Sequence, residues 1–273
     1  MTVEPGETIV VETINHMTPI VRSEADLHPH GSPDYREREE TGPIYVQGAQ
    51  PGDMLAVHIE RIEFEGHPHA HGCGPLADKY QQKPLLLPIE DGYCRLPGGL
   101  RAPLAPMVGD IYTTPTEPPK HVWDHDHGGN MDFTEVRPGN TLYLPVFRAG
   151  GLLVLGDVHS IQGDGEIYGE GGESAAEVTI TLDIDRTYRY PRPLVETPDA
   201  LIGLGSRGSL YDSVQMVTED MTGLVSRLHG VSEQDAYIYC CVVGSLRLAG
   251  CLARRSWVEK CILLALSVPK EVR

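Results

Sequence analysis

Two short stretches concentrate side chains suited to acid–base or metal chemistry. HDHGGNMD, His125 to Asp132, holds two histidines, two aspartates, an asparagine and a glycine pair. GDVHSIQGDGE, Gly156 to Glu166, brings Asp157, His159, Gln162, Asp164 and Glu166, with Glu170 and Glu173 soon after. Asp157 and His159 stand two apart at the end of an apolar run, and on an extended chain residues i and i+2 project from the same face. A carboxylate and an imidazole then leave one rigid element side by side. His127 offers a second imidazole, and Gly128 and Gly129 let the backbone come close to a ligand. Two histidines with carboxylates are the donors expected of a catalytic zinc, or a similar divalent ion, with one position open. In either stretch alone, polar loop residues capping one another would give the same composition; the two stretches together favour a site. Asp164 and Glu166 within GDGE make calcium the alternative ion, although the spacing is not that of an EF-hand.

Other motifs are weaker. His67, His69 and His71 in HPHAHGCG look like a metal tract, but such loops more often bind metal adventitiously. GLGSRG, Gly203 to Gly208, matches GxGxxG without a surrounding βαβ unit. No GxSxG nucleophile elbow occurs. Cys261 opens an apolar run with only Glu259 nearby to polarise it, so it reads as structural.

The elements that must position these groups are mostly strands. Val178, Ile180, Leu182 and Ile184 alternate with Thr179, Thr181 and Asp183, the cleanest strand pattern in the chain. Thr41 to Phe64 reads as strand, turn, strand. TLYLPVF (141–147) and LLVLGDVHS (152–160) are joined by Arg148 to Gly151 at hairpin-like spacing. From Ser209 the period changes: Leu210, Val214, Val217, Met221, Leu224, Val225 and Leu228 fall on one helical stripe, with Ser209 as N-cap and Gly230 as stop. Ser232 and Asp235 resemble a capping box opening a second helix to about Val243, and CILLALSVP reads as a buried strand. Residues 16–40 and 65–83 read as long loops of the kind that wall active sites. The expectation is a mainly β body over 1–200 carrying the motifs, with a helical hairpin and strand over 201–273 packed on it as one unit.

Composition narrows the partners. The formal charge is -17, and only five of the 22 basic residues are lysines, which disfavours nucleic acid and anionic membranes and suits a small neutral or cationic substrate. No apolar run reaches the ~18 residues of a membrane span. The opening MTVEPGETIV lacks the basic and then apolar order of a signal peptide, and the six cysteines form no CxxC pair, so reduced thiols and a cytoplasmic location are expected.

HGGNMD, TLYLPVF and GDVHSIQGDGE, in this order and spacing, resemble the acetamidase/formamidase family. TGPIYVQGAQPGD and the two C-terminal helices resemble it too. The resemblance implies a β-sandwich or jelly-roll-like core with an α+β part and a C-terminal helical hairpin. It implies a homodimer or higher homo-oligomer, and hydrolysis of small linear amides at the C–N bond with release of ammonia. By motif match it singles out His127, Asn130, Asp132, Asp157, His159, Asp164, Glu166 and Glu173. PMVGDIYTTPTE, Pro106 to Glu117, departs from the family's pattern, and the loop around Gly72 to Leu76 is shortened, so pocket loops and substrate are expected to differ.

An amide needs a strong nucleophile, a stabilised oxyanion and a proton for the leaving amine. Under this resemblance His127, Asp157, His159 and Glu173 are the expected ligands of a divalent metal, zinc foremost. Glu166 is the expected general base and acid. Asp132 is its alternate or a partner of a ligand histidine, and Asn130 a donor to the oxyanion. Gly128, Gly129, Gln162 and Asp164 are expected to contact substrate. Two other readings stay open: a different metal-dependent hydrolase or lyase on the same scaffold, and a non-catalytic binding protein.

Overall fold

The computed structural model describes residues 1–15, 20–27, 40–80, 83–118, 125–252 and 262–270. Among these residues, seventeen strands and two α-helices follow in chain order. The first eight are β1 (Thr2–Val3), β2 (Glu7–Thr13), β3 (Thr41–Val46), β4 (Met54–Ala70), β5 (Leu85–Leu86), β6 (Ile89–Glu90), β7 (Tyr93–Arg95) and β8 (Arg101–Pro103). Next come β9 (Met107–Thr113), β10 (Gly128–Asn130), β11 (Thr141–Pro145), β12 (Leu153–His159), β13 (Glu173–Asp185), β14 (Leu194–Glu196) and β15 (Ala200–Arg207). Helices α1 (Leu210–His229) and α2 (Glu233–Val243) precede β16 (Ser245–Ala249) and β17 (Ile262–Pro269).

The fold is mainly β, as expected. One large mixed sheet runs β1-β3-β12-β13-β4-β11-β14-β15-β17-β16, with β2 on β13 and the β9–β10 pair on β12, and β6-β7-β8 form a small separate sheet. Alternation makes these strands. Val178, Ile180 and Leu182 of β13 are fully buried while Glu177 and Asp183 face out. Their inward side chains join Leu55, Val57, Leu142, Leu153, Leu155 and Leu204 in one continuous core. A second cluster lies under the helices, where Val217, Met221 and Leu224 of α1 pack on Leu194, Leu264 and Leu266. Of the α1 stripe, Val217, Met221, Leu224 and Val225 are buried, Val214 and Leu228 half-buried and Leu210 exposed. Its ends are the expected ones: the Ser209 side chain accepts from the Asp212 N–H, and Gly230 adopts the left-handed conformation. Ser232 caps α2 in the same manner.

Four expectations change. The 141–147 and 152–160 segments form no hairpin: β11 pairs with β4 and β14, and β12 with β3, β9 and β13. The connection bonds elsewhere. Val146 N donates to Asp53 O, and Gly150 N to Ala49 O, so the turn before β4 takes the hydrogen bonds a hairpin would have kept. The stretch 106–117 is no loop over most of its length; 107–113 is the buried strand β9. Residues 65–70 extend β4 rather than opening a loop. Residues 16–19 and 28–39 of the other expected loop, and Cys261, lie outside the described residues. Finally, β16 was not foreseen.

Candidate active site

Three neighbouring strands place the chemistry. In the registers of β4, β13 and β12, His69 lies opposite Glu173 and Glu173 opposite His159. Asp157, two residues before His159 on β12, projects beside it, and its Oδ1 accepts from His159 Nε2 at 3.0 Å, although its backbone departs from the extended chain on which the i, i+2 argument rests. His159 Nδ1 lies 4.0 Å from Glu166 Oε1, and its Nε2 4.0 Å from Glu173 Oε1. Asp132 enters from the segment after β10, held by Asn130 Nδ2 donating to Oδ2 at 2.9 Å. All these carboxylates, with His159, are buried.

Two glycines let the groups converge. A Cβ on Gly109 of β9 would sit 2.9 Å from Asp132 Oδ1 and 3.0 Å from Asp157 Oδ2. One on Gly171 would sit 2.4 Å from His159 Nδ1. Backbone strain marks the same spot: Asp132, Asp157 and Glu166 have φ of 43°, 53° and 38°. Non-glycine residues rarely adopt this left-handed region, at a cost of about 1–3 kcal/mol each, and strain of this kind clusters at functional sites.

The electrostatics are lopsided. Four buried carboxylates surround one imidazole. Burial opposes charge on His159, but Asp157, through its charge and its hydrogen bond, then Glu166 and Glu173, hold its pKa well above the usual histidine value. Burial pushes the Glu166 carboxyl up to about 7, against the pull of His159 and with the help of Asp157. Such a cluster takes up protons or a cation. Asp132, Asp157 and His159 form one potential ligand group, and His159, Glu166 and Glu173 another; within each, one donor atom per residue lies within 4.8 Å of the others. Donors across a divalent ion bonded at about 2.0–2.5 Å are separated by about 4–5 Å, so these residues fit such an ion. Buried acidic and histidine groups able to hold a metal are thus present.

Other expected site residues fall at varying distances. His127 is in neither group; its ring packs edge-on against Tyr112, with centroids 5.7 Å apart. Gly128 and Gly129 have φ of 96° and 113°, and the close approach at Gly128 is to the Ile111 carbonyl, 2.3 Å from where a Cβ would stand. Gln162 donates from Nε2 to Asp132 O at 2.7 Å. Asp164 is gripped by Arg247 from β16 and accepts from Thr134 Oγ1. His125 is buried beside Gly129, and Asp126 pairs with Arg192 and Arg207.

Two histidines of the tract set aside above as adventitious contact acidic residues of this region. His69 is fully buried and donates from Nδ1 to Glu173 O at 3.0 Å; His71 Nδ1 lies 3.1 Å from Glu170 Oε2. Their i, i+2 spacing at a strand end is the same signal that singled out Asp157 and His159. Arg247 carried no local signal at all.

A mainly β scaffold with a buried carboxylate–imidazole cluster is the class that fold and site define. Residues 100–200, which span both motifs and Glu173, match the Acetamidase/Formamidase family model. A formamidase of Methylophilus methylotrophus is 32% identical over 188 residues, covering 46% of each chain. Two solved structures cover 98% of this chain at 28% identity: an acetamidase of Bacillus halodurans (90% of that chain, TM-score 0.84) and a predicted acetamidase/formamidase of Thermoanaerobacter tengcongensis (88%, TM-score 0.87). The chain is thus similar to proteins of the acetamidase/formamidase family, while it spans less than half the length of the Methylophilus formamidase.

Proposed function

We propose that this protein hydrolyses small linear amides to a carboxylate and ammonia. The observation that carries the reading is the convergence of Asp132, Asp157, Glu166 and Glu173 on His159, within the segment shared with the family. The relatives named formamidase and acetamidase supply the reaction class. His159 with Asp157, Asp132 and Glu173 would hold a divalent ion. Zinc is the first choice, and the oxygen-rich donor set also suits calcium. When bound, such an ion supplies Lewis acidity and a more acidic water.

The chain's own groups do the rest. Glu166 takes a proton from the attacking water and returns one to the leaving nitrogen. Burial raises its carboxyl above the usual carboxylate value, the direction that a group taking and returning a proton requires. The Gly171 N–H, donating to Oε1 at 2.7 Å, holds the carboxyl in place. Asn130 orients Asp132 through its side-chain amide, and its buried Oδ1 has no hydrogen-bond partner among the described residues. Gln162 joins the same segment through the Asp132 carbonyl. The one-sided burial of negative charge favours a neutral substrate over an anionic one. The same reading takes the protein as a cytoplasmic homo-oligomer, which sedimentation of the purified protein tests for assembly. Among the described residues no helix is long and apolar enough to cross a membrane.

Metal analysis alongside ammonia release from formamide and acetamide tests the proposal. The expected result is stoichiometric divalent metal and activity lost in Glu166→Gln. Bound metal without ammonia release from any amide would favour another metal-dependent hydrolase or lyase.

A further inference from the structure

A cleft of about 560 Å³ abuts the site. One wall is the turn region of Ile161, Gly163 and Ile167; the other is formed by Leu85, Leu87 and Leu96 beside the small sheet. Glu166 and Gln162 line it as well, so the proposed acid/base group and the group tied to Asp132 both face one apolar space. Gly171, against which His159 Nδ1 packs, is also part of the wall.

The size does not match the smallest amides. A water occupies about 30 Å³, and formamide or acetamide has about the bulk of three or four waters. Clefts of about 300–1,000 Å³ hold far larger molecules. The polar end is specific. Gln162 commits Nε2 to the Asp132 carbonyl, which settles the orientation of its amide; its buried Oε1 accepts no hydrogen bond among the described residues. The missing partner is a donor, and the NH₂ of a primary amide is one. Glu166 and Glu170 in the lining disfavour a substrate ending in a carboxylate.

We propose that this cleft is an acyl-chain subsite and that the preferred substrates are primary amides bearing a hydrocarbon chain or ring of about five to eight carbons. The inference rests on the amide-hydrolase reading above and adds the substrate class. The reaction balances as R–CO–NH₂ plus water giving R–COO⁻ and NH₄⁺: the C–N bond breaks, a C–O bond forms, and both protons of the water leave on the nitrogen. The product carboxylate meets the acidic side chains of the lining, which favours its release.

The test is ammonia release by the metal-loaded protein from formamide, acetamide, butanamide, hexanamide and benzamide. Burying each methylene is expected to raise kcat/KM about fourfold until the cleft is filled. Ala105→Trp, at an exposed cleft position, should lower the hexanamide-to-acetamide ratio at least about tenfold, and Ala102→Trp serves as an independent second block. A flat or falling chain-length series, with both tryptophan variants leaving the ratio unchanged, overturns the subsite while leaving amide hydrolysis standing. Release from no amide at all overturns the hydrolase reading itself and the subsite with it.

Discussion

Arg247 holds Asp164 with two hydrogen bonds, Nε to Oδ2 at 2.8 Å and Nη2 to Oδ1 at 2.9 Å, across 83 residues of sequence. The same guanidinium reaches Thr134 Oγ1 and Glu135 Oε1 and lies over the Phe133 ring. One side chain from β16 thus ties the segment after Asp132 to the turn that carries Glu166. The contacts also hold Asp164 below its ordinary value: burial alone would raise it, but the hydrogen bonds from Arg247 and Thr134 outweigh burial. Arg247→Ala is expected to lower kcat/KM by roughly 10–100-fold, the range for residues that orient ligands rather than act as them. Arg247→Lys should recover only part, because a lysine cannot reproduce the two-point grip. Ammonia release at fixed metal content checks this, and an unchanged Arg247→Ala enzyme would refute the tie.

Glu166→Gln removes the proton carrier while keeping size and most hydrogen bonding. We expect kcat to fall by roughly 10²–10⁴-fold with KM and thermal midpoint little changed. A variant that loses affinity instead of turnover would place Glu166 among the metal ligands.

His159→Ala takes the shared member out of both ligand groups. Metal retention and amide hydrolysis should both vanish while the β core, which holds no part of His159, keeps its circular dichroism. A metal-free, fully active His159→Ala protein would sink the metal reading. In the wild type, chelation should lower the thermal midpoint and re-addition of the ion restore it, because binding to the folded state alone stabilises it.

A pH effect is expected far from the site. Tyr143 OH donates to Glu196 Oε2, and Lys270 pairs with its other oxygen, stitching β11, β14 and the end of β17. Burial raises the Glu196 carboxyl, but the Lys270 and Tyr143 hydrogen bonds outweigh it and hold the group below its usual value near 4.5. A carboxyl depressed in the folded state stabilises the fold above the unfolded value, and that contribution is lost as pH falls through the folded one. The melting difference between wild type and Glu196→Gln should therefore shrink as pH drops from about 6 to about 3. A difference that stays constant over that range would show that the pair contributes nothing.

What the sequence reveals depends on how local the signal is. The β13 alternation, the α1 stripe and its caps are properties of ten or twenty neighbouring residues and read correctly. Asp157 and His159 do share a face, although Asp157 reaches it from a left-handed backbone that the regular strand argument does not include. Partner choice is not local. The turn at Arg148 to Gly151 looks like a hairpin turn, yet its hydrogen bonds go to residues near position 50. β16 hides because Leu246 and Leu248 are both about half exposed, the reverse of a core alternation. Arg247 sits between them, and nothing in its own neighbourhood announces a partner at Asp164. His127 stands apart from both groups, with its ring edge-on to Tyr112.

Asp132, Asp157 and Glu166 share a backbone conformation that asparagine or glycine occupies more readily. Selection for robustness that ignores turnover should consequently find these positions early. A library of this protein sorted only for protease resistance in chelator would be enriched for Asp132→Asn, Asp157→Asn and Glu166→Gly. The fittest scaffolds by that criterion would be the ones that had erased the chemistry, so the pattern of enrichment would draw the outline of the site with no substrate in hand.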